Sequence, residues 1–134
     1  MQTSLMSAQQ SRVRSHRDLV AWQKAMHLVD KTYEATDRFP SKEEYRLVSQ
    51  IVRSAISVPS NIAEGSTRAT SKDFAHFLNV AKASIAELDT EFEIARRRKY
   101  IADPEADALF GLMDELSRMI TSLRARIMTR GHRH

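Results

Sequence analysis

Residues 70–98 read TSKDFAHFLNVAKASIAELDTEFEIARRR. Within them Phe74, Leu78, Ala81, Ile85, Leu88, Phe92 and Ala95 recur at alternating steps of four and three. Side chains at that spacing line one face of an α-helix, because 3.6 residues complete a turn. Thr70 precedes the run and Asp73 follows three positions later, the pattern of a capping box. A helix apolar on one stripe and charged on the others must bury that stripe against neighbours. The stretch therefore predicts a helical bundle, and the flanking sequence supplies the partners.

Downstream, Asp103-Pro104 reads as N-cap and first helical residue of another helix. Leu109, Met113, Leu116, Ile120, Leu123 and Ile127 form its stripe, and Gly131 is its expected stop. Upstream, Ser41 and Glu44 predict a helix start, and Gly65 a left-handed end. That helix has two stripes, Tyr45, Val48, Val52, Ala55 and Ile62 beside Leu47, Ile51 and Val58. Pro59 inside it predicts a kink. The first helix is expected from Ser15, capped with Asp18, along Leu19, Trp22, Met26, Val29 and Tyr33, and to stop before Pro40. Short connections between four such helices predict an all-α, antiparallel, up-down-up-down four-helix bundle over residues 15–131. Residues 1–14 read as a flexible basic arm and 132–134 as a tail.

The chain has 134 residues, enough for one core, with three Gly, three Pro and no Cys. Without Cys there are no disulfides, thiolate metal sites or Cys nucleophiles, which fits a reducing, cytoplasmic setting. No apolar run is long enough to cross a membrane, and the first sixteen residues lack the apolar centre of a secretory signal.

The net charge of +4 is unevenly spread. Residues 1–17 carry +3 and residues 116–134 carry +5, so the body between them carries −4. In an up-down-up-down bundle the start of the first helix, the turn between the second and third, and the end of the fourth share one pole. That pole is expected to gather Arg12, Arg14, Arg17, Arg68, Lys72, Arg124, Arg126, Arg130 and Arg133. A cluster of this size exceeds what helix ends require and fits a polyanion, RNA or DNA, bound through its backbone. No aromatic residue is interleaved with it in sequence, so base stacking is not indicated. Arg96-Arg97-Arg98-Lys99 lies at the other pole, where cations simply complement a helix C-terminus.

Three segments resemble a known family. Gln50-Ile51-Val52-Arg53-Ser54-Ala55-Ile56-Ser57-Val58-Pro59-Ser60-Asn61-Ile62-Ala63-Glu64-Gly65, Asp18-Leu19-Val20-Ala21-Trp22-Gln23-Lys24-Ala25 and Phe74 to Leu88 resemble the proteins encoded in intervening sequences of 23S rRNA genes. The likeness covers residues 17 to 125. Ala83 departs from it, standing where Gly is usual, and is expected to add a methyl at a helix contact. The resemblance implies an antiparallel four-helix bundle assembling as a homo-oligomeric ring, often a pentamer. It also implies kinship in fold with accessory variability proteins of diversity-generating retroelements, which bind nucleic acid through basic surfaces.

Other constellations read as structural. Gln50, Arg53, Ser57, Asn61 and Glu64, with Ser84, Glu87 and Glu91, form a polar seam expected to fix helix register, with Arg53 pairing Glu87. His27 with Asp30 and Asp73 with His76 lack the Glu-x-x-His pattern of bundle metal sites, so no metal or cofactor is expected. Glu43-Glu44 and Asp114-Glu115 read as solvated. With no catalytic triad, phosphate loop or dinucleotide fingerprint, no enzyme is expected. The expected function is a non-enzymatic homo-oligomer binding structured RNA or DNA through its basic pole. Its subunit contacts are expected on the wide apolar arc of the second helix and at Phe110, Leu112 and Met119. The alternative is an assembly module whose partner is a protein.

Overall fold

The computed structural model describes residues 15–132. The arm 1–14 with Arg12 and Arg14, and the terminal Arg133, lie outside the described residues. Among the described residues there are four α-helices: α1 (Val20–Thr36), α2 (Ser49–Ser66), α3 (Ser71–Arg97) and α4 (Asp103–His132). Each packs on its sequence neighbours, and α1 closes the bundle against α4. Cross-helix contacts fix the antiparallel registers. Lys24 of α1 reaches Glu115 of α4 at 2.7 Å, and Arg38, just past the end of α1, pairs with Glu105 of α4. The Ser57 and Ser84 hydroxyls meet at 2.8 Å between α2 and α3. The up-down-up-down expectation is met.

The stripes of α3 and α4 are buried as their spacing predicts. Leu78, Ala81, Ile85, Leu88, Phe92 and Ala95 face Leu109, Met113, Leu116, Ile120 and Leu123 in one core, with Phe74 and Ile127 at its margin. Thr70 caps α3 by accepting the Asp73 N–H at 3.1 Å. The helix at Asp103 continues past Gly131 to His132, beyond the stop expected there.

The stripe expected for α1 holds at Leu19 and Val29, which are buried, and at Trp22, which packs against the core, but fails at Met26 and Tyr33. Met26 and Tyr33 are exposed, while Ala21, Ala25, Leu28, Thr32 and Ala35 face the core. Small residues let α1 approach closely, and the Thr32 hydroxyl is satisfied by donating to the Leu28 carbonyl at 2.8 Å. Ser15 and Asp18 do form the expected capping box, on a separate 3₁₀ turn, His16–Asp18, rather than on α1 itself.

The start expected at Ser41 is also corrected. Ser41 makes no side-chain cap, and Ser41–Glu43 and Glu44–Val48 are 3₁₀ and π turns leading into α2. Glu43, read as solvated, is buried and accepts a hydrogen bond from the Tyr100 hydroxyl at 2.8 Å. That bond, helped by Arg46, holds its carboxyl below the usual carboxylate range against the opposing effect of burial. Phe39 packs its ring 5.6 Å from Tyr100, so the α1–α2 and α3–α4 connections form one pole.

α2 runs through Pro59, which is buried. Gly65 does not end it in a left-handed conformation; it is helical, with no positive φ. Its role is space. A Cβ there would lie 2.8 Å from the Phe77 Cβ, 2.9 Å from the Phe74 ring and 3.3 Å from the Phe74 carbonyl. Ala83, expected at a helix contact, is exposed.

α3 ends in a Schellman motif: Tyr100 N–H donates to Ala95 and Lys99 N–H to Arg96, both at 3.0 Å. Lys99 takes the left-handed position at φ 63°, where a side chain is strained and Gly is not. Lys99→Gly is therefore expected to stabilise the fold by about 0.5–1 kcal/mol. A chemical denaturation midpoint that rises with unchanged slope is the signature of that gain.

Candidate nucleic-acid interface

The second pole joins the 3₁₀ turn before α1, the α2–α3 turn and the last turns of α4. The turn His16–Asp18 abuts α2 and is tied back by the Gln23 side chain, which donates to the Arg17 carbonyl at 3.0 Å. Of the nine cations expected here, Arg17, Arg68, Lys72, Arg124, Arg126 and Arg130 are described, and the fold brings them together.

Their pairing differs from that at the other pole. Arg68 meets Glu64 at 2.8 Å. Arg17, Lys72, Arg124, Arg126 and Arg130 form no ion pair with another described residue. At the other pole, Arg38 pairs with Glu105, Arg46 with Glu43, Arg96 with Glu93 and Asp103, and Arg97 with Glu93. Arg96, first, and Arg97 hold the Glu93 carboxyl down to about 2. Four of the seven cations of that pole are thus paired, with Lys42, Arg98 and Lys99 outside any ion pair among the described residues, against one of the six described at the basic pole. Arg124 is half-buried, and its Nε, out of solvent, has no hydrogen-bond partner. Arg126 and Arg130 flank a shallow concavity with Ala125 and Thr129.

Aromatic rings do accompany this cluster, contrary to the sequence expectation. The Arg17 guanidinium lies over the Trp22 ring at 5.3 Å, and His16 meets the same ring edge-on at 5.1 Å. Arg68 lies over Phe77 at 4.6 Å, and His76 meets Phe77 at 5.6 Å. Trp22 sits five positions after Arg17, across the end of a 3₁₀ turn, and Phe77 nine after Arg68, across an interhelical turn. Neither spacing is a helical neighbour spacing, so the pattern was invisible in the linear sequence.

The polar seam lies on the outer edge of the α2–α3 contact. Asn61 donates to the Ser57 carbonyl at 2.8 Å and to its hydroxyl at 3.0 Å, and Ser57 meets the buried Ser84. Arg53 and Glu87 are both exposed and form no ion pair; Glu64 is engaged by Arg68. The register device is a hydroxyl–amide chain rather than an ion pair. Glu91, expected in the seam, is half-buried with one carboxylate oxygen unpartnered. Burial pushes its carboxyl above the usual range, the Ser54 hydroxyl opposes this, and the Glu87 charge adds to the rise. An acid raised in the folded state costs nothing where both states are protonated. The cost grows as pH rises through the ordinary carboxylate range and is complete above the raised value. Glu91→Gln is expected to stabilise by about 1 kcal/mol at pH 8 and to be neutral near pH 4, measured by urea denaturation at both.

His27 and His76 are exposed, and no three His, Cys, Asp or Glu among the described residues come together to hold a metal. No helix of the described residues is long and apolar enough to cross a membrane.

The profile of the 23S rRNA-intervening sequence proteins matches residues 17–122. The chain belongs to that family. Its fold is similar to that of a solved protein of unknown function from the S23 ribosomal protein family of Bacteroides thetaiotaomicron VPI-5482. The two superpose with a TM-score of 0.73 at 21% identity, over 79% of this chain and 96% of the other. No curated protein sequence matches the chain. In this intervening-sequence family member, the resemblance at Asp18 to Ala25, Gln50 to Gly65 and Phe74 to Leu88 falls wholly inside the matched span.

Proposed function

We propose that this 23S rRNA-intervening sequence protein is a non-enzymatic, cytoplasmic homo-oligomer that binds structured RNA or DNA, independently of sequence, through its basic pole. The observation that carries the reading is the uneven ion pairing: five of the six described cations at this pole form no ion pair with a described acid, whereas four of the seven at the other pole do. Arg is suited to forking phosphates, and five of the six described cations here are Arg. The family's name places its members beside a ribosomal RNA gene, which fits an RNA partner.

Self-association has its own support. Lys24, paired with Glu115, marks the α4-facing side of α1, so Trp22, Met26 and Tyr33 lie on the α2-facing side. Ile56 and Val52 lie on the flank of α2 opposite Ser57, toward α1. Met26, Tyr33 and Ile56 are exposed there, an apolar face that a second subunit covers. Phe110 and Leu112 instead pack on the core of their own chain and are half-spent. A ring, five-membered as the resemblance implies, repeats the basic pole around one rim. The same face favours the second reading, in which a different protein docks on it.

Fluorescence anisotropy with a labelled RNA hairpin and a DNA duplex, repeated across salt, tests the proposal. Affinity is expected to fall about 10²-fold or more between about 50 and 200 mM salt, for five or more neutralised phosphates per subunit. Salt-insensitive complexes, or no binding at the lowest salt, contradict it; a salt-resistant complex captured with a protein supports the second reading.

A further inference from the structure

The two arginine–aromatic stacks of the basic pole have a geometry that phosphate binding alone does not use. In each, a guanidinium covers a ring and a histidine meets its edge: Arg17 and His16 on Trp22, Arg68 and His76 on Phe77. Both rings are only half-buried. Trp22 lies on the α2-facing side of α1, and Phe77 is seated at Gly65 near the end of α2. The stacks therefore flank the last turn of α2, about one helix width or 10 Å apart.

We infer that Arg17 and Arg68 are placeholders on Trp22 and Phe77, and that unpaired nucleotides of an RNA or DNA strand take their place. The inference rests on the basic-pole reading and specifies which part of a structured nucleic acid the pole engages: loops, bulges and ends. The exchange is downhill. An exposed cation–π contact is worth about two- to fivefold in an equilibrium, whereas a base stacked on an aromatic ring is worth about five- to 100-fold. The displaced guanidinium is not lost, because it stays on a side chain long enough to fork the phosphate beside the bound base, Arg68 by exchanging the exposed Glu64 carboxylate for that phosphate. A continuous duplex offers no free base face and leaves both stacks closed. Neither stack presents a fixed set of donors to a base edge, so the selection is for unpaired nucleotides and not for sequence.

Trp22 is the single tryptophan of the chain, so its fluorescence reports one of the two stacks directly. The test titrates the full-length protein at low salt with single-stranded oligoadenylate, with an abasic strand of equal length, and with a duplex. Tryptophan emission and the anisotropy of end-labelled strands are followed together. The abasic strand carries the same phosphates and can at most draw Arg17 away. Saturable quenching by oligoadenylate well beyond that of the abasic strand is expected. Phe77→Leu, checked for native helicity, is expected to weaken oligoadenylate binding at least fivefold and duplex binding less than twofold. Equal quenching by both single strands, with equal loss on all ligands in the variant, overturns the inference and leaves the basic pole as a backbone site. Absence of binding to every strand overturns both readings.

Discussion

Changing Arg124, Arg126 and Arg130 together to Glu is expected to abolish nucleic-acid binding while leaving the helical fold intact. The three side chains lie on the last turns of α4; Arg126 and Arg130 are exposed, and none takes part in an ion pair with another described residue. No internal bridge is therefore broken. The formal charge of the chain falls from +4 to −2, and all six units are lost at one pole. Each lost phosphate contact lowers the salt slope by about 0.9 for a duplex, so the slope falls by about 3. At low salt that corresponds to a loss of about 10³-fold or more, because the new carboxylates repel phosphate as well. The matching control is Arg38, Arg96 and Arg97 changed to Glu at the other pole. Those arginines already sit in ion pairs, so the control is expected to lose stability rather than binding. Anisotropy measured beside circular dichroism separates the two effects.

Gly65→Leu is expected to cost about 3 kcal/mol, the upper end of overpacking. The glycine is buried where α2 meets α3, and the atoms facing it are the Phe77 Cβ, the Phe74 ring and the Phe74 carbonyl. Two of these are backbone or next to it and cannot swing aside. Ala at the same position relieves the poor helix propensity of Gly by about 1 kcal/mol, which offsets part of a smaller clash. Gly65→Ala should therefore be destabilised by only about 1 kcal/mol. A graded series of Gly, Ala and Leu in urea denaturation distinguishes this account from a left-handed cap. A cap would make the first step, Gly to Ala, carry most of the loss.

The bundle was legible in the sequence because α3 and α4 bury large residues at heptad spacing, so their apolar stripe and their core face coincide. In α1 they coincide only in part. Its core face is built from Ala21, Ala25, Ala35 and Thr32 beside Leu28 and Val29, and its large residues Met26 and Tyr33 turn outward. Size and hydrophobicity point one way, and close packing selects the other. The entry to α2 misled for a related reason. Ser41 and Glu44 have the spacing of a capping box, but burial of Glu43 against Tyr100 determines the local geometry and draws the chain into 3₁₀ and π turns.

The basic pole itself followed from topology and charge. Its aromatic floor did not, because Trp22 and Phe77 reach their arginines across turns that helical periodicity does not describe. Arg53 and Glu87 have complementary charges but stay exposed, and the hydroxyls of Ser57 and Ser84, about one turn along each helix, make the contact instead.

The central claim is that nucleic acid meets the protein at the pole formed by the start of α1, the α2–α3 turn and the end of α4. A titration of isotope-labelled protein with a short RNA hairpin, following every backbone amide by NMR, addresses it without any substitution. The largest shifts are expected within residues 15–22, 64–78 and 121–132. Shifts centred on residues 38–46 and 96–105, or on the face of Met26, Tyr33 and Ile56, would contradict it.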